Sequence, residues 1–281
     1  MNSMKSIFKK ICLSIVFIFL LCGINAQASN NNLWQSSTLN KIIQRGVLRV
    51  GTDPQYLPFE MRDKRGRIIG FDMDIARNMA KAMGVKLKII PIAWDGIIGG
   101  LIAGKFDIII AGMTITQKRN LKINFANPYI TVGQTIMVNK KIAKHIKSAK
   151  DLDFAKYKIV TKIGTTGEIA ARRFFKHAKI VTFDAEGQAA LAVMNGRADA
   201  MIFDAPFNAL FMAEKGSKSM VYYPKPLTYE PLAWGIRKGD PDFLNWLDAY
   251  LKQIRSDHVV NFYNKTYNKW FKSKAWLSRL N

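Results

Sequence analysis

Short apolar segments of two different periodicities alternate along this chain. The stretch from Val47 to Gly51 is brief and mostly apolar, which predicts a strand. From Asp72 to Met83 the apolar residues Ile75, Met79 and Met83 recur every four positions, so they share one face of a predicted helix. The folded part of the chain is therefore expected to begin with a strand, a helix and a further strand.

The same alternation continues towards the end of the chain. Further strands are predicted at Leu87 to Ile92, Phe106 to Ala111, Gln134 to Asn139, Lys158 to Lys162, Ile180 to Phe183, Ala198 to Phe203 and Leu232 to Arg237. Further helices are predicted at Gly96 to Ala103, Gly167 to Phe175, Gly187 to Asn195, Ala205 to Glu214, Asp242 to Ser256 and His258 to Phe271. Such alternation predicts α/β layers around mostly parallel sheets, which hold ligands at the carboxyl ends of their strands.

The N-terminal segment has the pattern of a secretory signal peptide. Lys5, Lys9 and Lys10 precede an apolar run from Ile11 to Leu21, and Ala26-Gln27-Ala28 follows it. This order predicts export and cleavage after residue 28. A retained transmembrane anchor is the alternative, and it is disfavoured because the run is shorter than the roughly 20 apolar residues that span a bilayer.

Both cysteines, Cys12 and Cys22, lie within the predicted signal peptide. The mature chain is therefore expected to lack a thiol for a disulfide, a metal site or a nucleophile. Lipid attachment at Cys22 is a less favoured alternative, because Phe19-Leu20-Leu21 before it lacks the small residues of such sites. The next segment, Ser29 to Thr38, is polar and rich in asparagine, which predicts a disordered leader.

The chain is strongly basic, with 43 Lys and Arg against 20 Asp and Glu among 281 residues. The segment from Lys140 to Lys179 alone contains twelve bases and three acids. Such a charge favours an anionic surface or ligand. A solvated basic face, which could also contact anionic lipid, is preferred to a nucleic-acid site, because no zinc-ligand pattern, aromatic RNA-binding motif or unbroken basic run is found.

A small-anion site is indicated between Ala111 and Arg119, which read Ala-Gly-Met-Thr-Ile-Thr-Gln-Lys-Arg. The segment follows the predicted strand that ends at Ala111, so free backbone N–H groups are expected near Thr114. Arg119 can donate two parallel hydrogen bonds to a carboxylate. The alternative is an ordinary strand end with a helix cap and a surface arginine.

Seven short motifs follow one another along the chain. They are Leu48 to Asp53 with Tyr56 to Glu60, Gly70 to Asp74, Trp94 to Asp107, Gly112 to Arg119, Phe125 to Tyr129, Gly164 to Gly167 and Gly196 to Asp204. In this order the chain resembles the periplasmic solute-binding proteins of polar amino-acid ABC importers, bacterial extracellular solute-binding protein family 3. The resemblance extends from about Leu39 to Phe271.

The resemblance implies an α/β protein with the two-lobed, type II periplasmic-binding-protein fold: two mixed sheets flanked by helices and joined by two hinge strands. Lobe 1 is expected to comprise residues 39–135 and 231–281, and lobe 2 residues 136–230. The crossings are expected near Gln134 to Asn139 and Lys225 to Pro231. Such lobes close over an amino acid by a hinge motion. We expect a periplasmic monomer without a cofactor, which delivers its ligand to an inner-membrane ABC permease.

The resemblance also implies which residues hold the backbone of an amino acid. Arg119 is expected to bind the carboxylate, with donors from Thr114 and from Thr165 and Thr166 of the opposite lobe. The ammonium group is expected to bind the carboxylate of Asp204, the carbonyl of Gly112 and the hydroxyl of Thr114, and Met113 belongs to the same segment. As alternatives, Asp204 and Thr166 could cap the helices that follow them.

The side-chain pocket is expected to lie between Tyr56 and Trp94, either of which could instead be a core residue. Asp53 and Lys162 resemble the pattern of glutamine-selective relatives, an acceptor for an amide N–H and a donor to an amide oxygen. Glutamine is therefore the first hypothesis, and a basic amino acid is the second, because a lysine at position 162 would repel a cation. Alternatively, Asp53 and Lys162 form a salt bridge and contact no ligand.

Two other classes of function remain open. A few relatives of this fold are dehydratases, and Asp204 with Glu168 could serve as acid and base. The sequence contains no nucleophile-elbow motif and no metal-ligand spacing. Nothing in it indicates that the carboxyl groups of Asp204 and Glu168 are positioned for catalysis. A sensor or surface adhesin is the other alternative, and only a short basic tail, Ser273 to Asn281, follows the last predicted helix.

Overall fold

The structure, a computed structural model, describes residues 37–256 and 261–280. The predicted signal peptide with both cysteines, the leader up to residue 36, and the first residues of the helix predicted from His258 lie outside this described part. The first helix, α1, spans Thr38–Arg45. It begins at the last residue of the predicted leader and ends at Gly46, which takes the left-handed conformation.

The first of two large sheets contains five strands. They are β1 (Val47–Thr52), β4 (Lys86–Pro91), β5 (Ile108–Ile109), β6 (Asn124–Phe125) and β14 (Gly235–Ile236). Their spatial order is β4-β1-β5-β14-β6, in which β1 pairs parallel with β4 and β5, whereas β14 is antiparallel to both of its neighbours. The body built on this sheet is called lobe 1 here.

The second large sheet also contains five strands. They are β8 (Gln134–Asn139), β9 (Lys158–Lys162), β10 (Lys179–Phe183), β11 (Ala200–Asp204) and β12 (Met220–Tyr223). Their order is β10-β9-β11-β8-β12, with β8 antiparallel to both neighbours. The body built on this sheet is called lobe 2. The two sheets are mixed, as predicted from the resemblance.

A short antiparallel pair joins the two lobes. It consists of β7 (Ile130–Val132) and β13 (Glu230–Leu232), which pair with one another and with neither large sheet. The predicted crossing at Gln134 to Asn139 is therefore wrong, because that segment is β8, fully inside the lobe 2 sheet. The return crossing lies at the C-terminal end of the predicted Lys225 to Pro231 segment. The lobe boundaries themselves stay predictions.

Helices pack against both sheets. They are α2 (Phe71–Ala82), α3 (Ile97–Ile102), α4 (Gln117–Asn120), α5 (Lys140–Ala143), α6 (Thr166–Phe174), α7 (Glu186–Met194), α8 (Ala205–Phe211), α9 (Pro241–Ser256) and α10 (Phe262–Tyr267). Two of them continue as π-helical turns, Met212–Gly216 and Asn268–Lys272. Three-residue to five-residue 3₁₀ turns lie at Trp94–Gly96, Ala149–Leu152 and Ala275–Arg279.

Several predicted elements are shorter in the structure than in the sequence pattern. The strand predicted at Phe106 to Ala111 is only Ile108–Ile109, and the one predicted at Leu232 to Arg237 is divided between β13 and β14. A two-stranded hairpin of β2 (Met61–Arg62) and β3 (Ile68–Ile69) was not predicted. The basic tail also has structure, since Trp276 is buried and donates from its indole to the Trp270 carbonyl.

No helix in the described ranges combines the length and apolarity needed to cross a membrane.

Aromatic residues fill the core of lobe 1, where the rings of Phe59, Phe71 and Phe271 meet edge to face. This core fixes the strand ends from which the functional residues project.

Candidate functional site

The ends of strands from both lobes meet at one cavity. Asp53 follows β1, Gly112 follows β5, Lys162 ends β9 and Asp204 ends β11. The cavity is lined by Asp53, Tyr56, Glu60, Trp94, Ala111, Gly112, Thr114, Arg119, Gln134, Lys162, Thr165, Thr166, Phe203 and Asp204. The structure thus brings together all of the predicted site residues except Met113, as expected for the carboxyl ends of parallel strands.

Arg119 lies in this cavity on α4 and is largely buried. Its Nη1 donates to the Thr114 carbonyl at 2.8 Å, and its Nη2 donates to the Gly164 carbonyl of lobe 2 at 3.3 Å. The guanidinium carbon lies 5.2 Å from the centre of the Trp94 ring. Burial lowers the pKa of Arg119 to about 10, so the group is still a cation at neutral pH. A buried guanidinium that is held in a fixed position can bind a carboxylate through paired hydrogen bonds.

Asp204 faces Arg119 from the lobe 2 side of the cavity. The hydroxyl of Tyr56 donates to its Oδ2 at 2.5 Å, and Gln134 Nε2 donates to its Oδ1. Burial raises the pKa of Asp204 to about 7, although the Tyr56 hydrogen bond opposes this rise. Asp204 precedes α8 but makes no side-chain cap, so its carboxylate is directed to the cavity and not to the helix.

Lys162 forms two buried ion pairs at the other end of the cavity. Its Nζ lies 2.7 Å from Asp53 Oδ2 and 2.8 Å from Glu186 Oε2. Burial disfavours the cation, but the two carboxylates outweigh burial and raise the pKa of Lys162 above its usual value. Burial also raises the pKa of Glu186, against the attraction of Lys162. The predicted pair of Asp53 and Lys162 is thus a salt bridge that includes a third residue.

Further contacts hold the two lobes together around the cavity. The Trp94 indole donates to the Gly164 carbonyl at 3.0 Å, and Thr114 Oγ1 lies 3.3 Å from Thr166 Oγ1. Thr166 also accepts a hydrogen bond from Gln134 Nε2 at 3.2 Å. The helix that starts at Thr166 is capped by Thr165, whose hydroxyl accepts from the Glu168 N–H. Thr166 therefore does not cap this helix, and its side chain lines the cavity.

The backbone conformation and the surroundings of Gly112 exclude a residue with a side chain. Its φ is +53°, in the left-handed region, and a Cβ at this position would collide with the ring of Tyr56. Its N–H donates to Asp72 Oδ2 at 2.9 Å. The carbonyl of Gly112 is therefore presented by a backbone that two neighbouring side chains hold in place.

Met113 does not line the cavity, although it was predicted as a contact residue. Its side chain is buried in an apolar cluster with Ile97, Leu101 and Phe106. The sequence could not show this, because Met113 lies between two cavity residues in the chain.

Several cavity residues were not predicted. Glu60, Gln134 and Phe203 line it, and Glu186 lies directly behind Lys162. Glu186 is the first residue of α7 and follows a strand, which is a usual position for a site residue, but its pairing with Lys162 depends on the fold.

Glu168 does not line the cavity, because its carboxylate accepts hydrogen bonds from the Gly164 N–H and from Arg172. Among the described residues no cluster suitable for a metal ion is found.

Comparisons with known proteins agree with the two-sheet α/β fold. The family model for bacterial extracellular solute-binding proteins, family 3, matches residues 48–273. A candidate binding component of an ABC transporter from Wolinella succinogenes, solved in complex with lysine, is 56% identical, with a TM-score of 0.80 over 83% of this chain and 99% of that chain.

Two curated relatives are more distant. The L-cystine-binding protein of Escherichia coli is 28% identical over 233 residues, which is 83% of this chain and 85% of that protein. The cyclohexadienyl dehydratase of Pseudomonas aeruginosa is 27% identical over 248 residues, 88% of this chain and 90% of that protein. The similarity therefore covers nearly all of the described fold.

Proposed function

Because this chain belongs to the bacterial extracellular solute-binding proteins, family 3, we propose that it binds an L-amino acid with a cationic side chain between its lobes and delivers it to an ABC permease. Proteins of this family are mainly non-enzymatic, bind small amino acids outside the cytoplasm and interact with ABC transporter permeases. The identity of the amino acid is the open question, and the charges in the cavity bear on it.

The observation that carries the proposal is the charge balance around Lys162. When the α-carboxylate of a ligand binds Arg119 and its ammonium group binds Asp204, these two residues are neutralised by the ligand itself. At the Lys162 end of the cavity, the remaining charges are the two carboxylates of Asp53 and Glu186 and the single cation of Lys162. The side-chain end of the cavity thus has an excess of negative charge, which a cationic side chain offsets.

This balance removes one reason for preferring glutamine, which was the repulsion between Lys162 and a basic ligand. A lysine at position 162 was expected to repel a basic ligand, but its charge is more than compensated by Asp53 and Glu186. The Wolinella succinogenes relative, solved with lysine at 56% identity, supports the same choice.

Glutamine is the second candidate. Asp53 could accept from the amide N–H of a glutamine side chain, and Lys162 could donate to its amide oxygen, if the ligand shared the ion pair. Glutamine binding would then require the Lys162 ammonium group to give up part of its contact with Asp53 and Glu186.

An enzyme of the dehydratase type is less well supported. Glu168 and Asp204 would have to share a substrate, but Glu168 belongs to a neighbouring groove and is engaged with Gly164 and Arg172. The Pseudomonas aeruginosa dehydratase is a relative at 27% identity.

Calorimetric titration of the mature chain tests the proposal. The chain would start at Ser29, and it would be unfolded and refolded to remove ligand acquired during expression. L-lysine, L-arginine and L-ornithine are expected to bind, and L-glutamine and L-citrulline to bind at least tenfold more weakly. Tighter binding of glutamine than of lysine would contradict the proposed ligand class, and turnover of a cyclic carboxylic acid would favour an enzymatic function.

The mass of the exported protein tests the predicted cleavage after Ala28.

A further inference from the structure

Two carboxyl groups lie side by side, one on the cavity wall and one behind it, and the recognition of an amino acid described above does not use them. Glu60 and Asp72 are 1% and 0% exposed. Their carboxyl groups lie within hydrogen-bonding reach of one another. Asp72 Oδ2 also accepts from the Gly112 N–H and from the Tyr129 hydroxyl, each at 2.9 Å. The pair therefore connects the cavity wall to the backbone that presents the Gly112 carbonyl.

Two ionised carboxylates cannot form such a contact, because each has only acceptor oxygens. Asp72 Oδ1 and Glu60 Oε2 are buried, and within residues 37–256 and 261–280 neither of them accepts a hydrogen bond from any donor group. A proton between these two oxygens satisfies both of them, as in other buried carboxyl pairs that share one proton.

The proton belongs on Glu60. Asp72 has two other donors and is the second residue of α2, whose N-terminal N–H groups stabilise a carboxylate. The charged side chains that act most strongly on Glu60 are Asp72, Asp53 and Glu186, which are all acidic, and Lys162 is paired with the last two. Burial, together with these acids, raises the pKa of Glu60 well above its usual value. Burial also raises the pKa of Asp72, to about 7.

We propose that Glu60 is a protonated positioning residue: its carboxylic acid donates to Asp72 and thereby holds Gly112 in the geometry that binds the ligand's ammonium group. This inference rests on the proposed function in one respect, that Gly112 contacts an amino acid. Because the folded state favours the protonated form, the stabilising contact is complete at acidic pH and is lost as the pH rises through the titration of the pair. Double ionisation would place two like charges in contact and displace Gly112.

The pH dependence of L-lysine binding tests this role. Wild type is expected to lose affinity as the pH rises into the alkaline range, by about tenfold or more beyond the loss caused by the ligand's own ammonium groups. In Glu60→Gln the amide can donate to Asp72 at every pH, so this additional alkaline loss is expected to disappear. Glu60→Leu, which cannot donate, is expected to bind weakly throughout. Glu214→Gln, which changes an exposed carboxyl group outside the site, should retain the wild-type profile.

Infrared spectroscopy provides a readout that does not require a ligand. Asp204 also contributes protonated carboxylic acid at neutral pH, so the readout is the difference between wild type and Glu60→Gln. This difference spectrum should show the carbonyl band of one buried carboxylic acid at neutral pH, and the band should disappear at alkaline pH. If lysine does not bind, the proposed function fails, but the band still tests the pair. Absence of the band from the difference spectrum, or an unchanged alkaline loss in Glu60→Gln, would overturn the assignment.

Discussion

Lys162 of lobe 2 forms a buried ion pair with Asp53 of lobe 1, with Nζ and Oδ2 separated by 2.7 Å. The two residues are 109 positions apart in the chain, and each projects from the carboxyl end of a parallel strand. The pair therefore joins the two lobes across the cavity, as the contact of Arg119 with the Gly164 carbonyl also does.

Replacement of Arg119 by lysine is expected to weaken ligand binding by about 1.5–3 kcal/mol, which is roughly 10-fold to 100-fold in Kd. An ammonium group cannot reproduce the two parallel donors that a guanidinium offers to a carboxylate. Calorimetry with L-lysine measures the change, and Lys118→Ala, at the exposed neighbouring position, is the control. Wild-type affinity in Arg119→Lys would mean that Arg119 serves only the Thr114 and Gly164 carbonyls.

Replacement of Lys162 by methionine leaves Asp53 and Glu186 buried without their cation. We expect the ligand-free protein to lose about 3–5 kcal/mol of stability. A cationic ligand can supply the missing charge, so L-lysine should raise the unfolding temperature of this variant more than it raises that of wild type. L-glutamine should not have this effect. Lys156→Met, at an exposed site, is the matched control, and a larger rescue by glutamine would favour the second candidate ligand.

Asp204 is expected to give ligand binding an acidic limit. Its carboxylate must be ionised to hold an ammonium group, and burial raises its pKa to about 7. Affinity should therefore fall as the pH is lowered below about 7. The stability of the ligand-free protein should change in the opposite sense, because a raised pKa favours the protonated folded state and stability is lost as the pH rises. Asp204→Asn should bind weakly and show neither effect, as measured by calorimetry and thermal unfolding across pH.

Trp94 is expected to slow the release of the ligand. Its indole donates across the cleft to Gly164, and its ring lies against Arg119. Trp94→Phe removes one hydrogen bond, worth about 1 kcal/mol, and should accelerate dissociation by roughly fivefold. Trp94→Ala also removes the cation–π contact and should accelerate it further. Stopped-flow measurements give these rates, and Trp246→Phe on α9 is the control. Unchanged rates would show that Trp94 does not restrain opening.

The basic face of lobe 2 is expected to bind anionic bilayers. Phe154 and Phe174 are exposed there, and Lys156 and Arg173 lie over their rings. Sedimentation with phosphatidylglycerol vesicles should show binding that decreases with salt, and phosphatidylcholine vesicles should not bind. Lys156→Glu combined with Arg173→Glu should weaken the interaction. Equal recovery with both lipids, or with neither, would mean that the charge has another role.

Helices and central strands could be predicted because their periodic patterns are local. The strand at Lys158–Lys162 agrees with its predicted bounds, and α2 and α9 agree within one residue. Two-residue and three-residue strands such as β5 and β7 contain too few side chains to show a period, so the crossing between the lobes was misplaced. The strand pairing between the lobes joins segments about 100 residues apart in the chain, so local patterns do not predict it.

The sequence by itself determined the α/β class, the family resemblance and the position of Arg119 beside a strand end, because these depend on local patterns and on motifs in order. Only the tertiary structure decided the charge of the pocket. Glu186 joins Lys162 from 24 residues away and Asp53 joins it from the other lobe, and the Glu60 and Asp72 carboxyl groups meet behind Gly112. These are through-space contacts between buried charges, whose ionisation depends on burial and on neighbours that chain order does not specify.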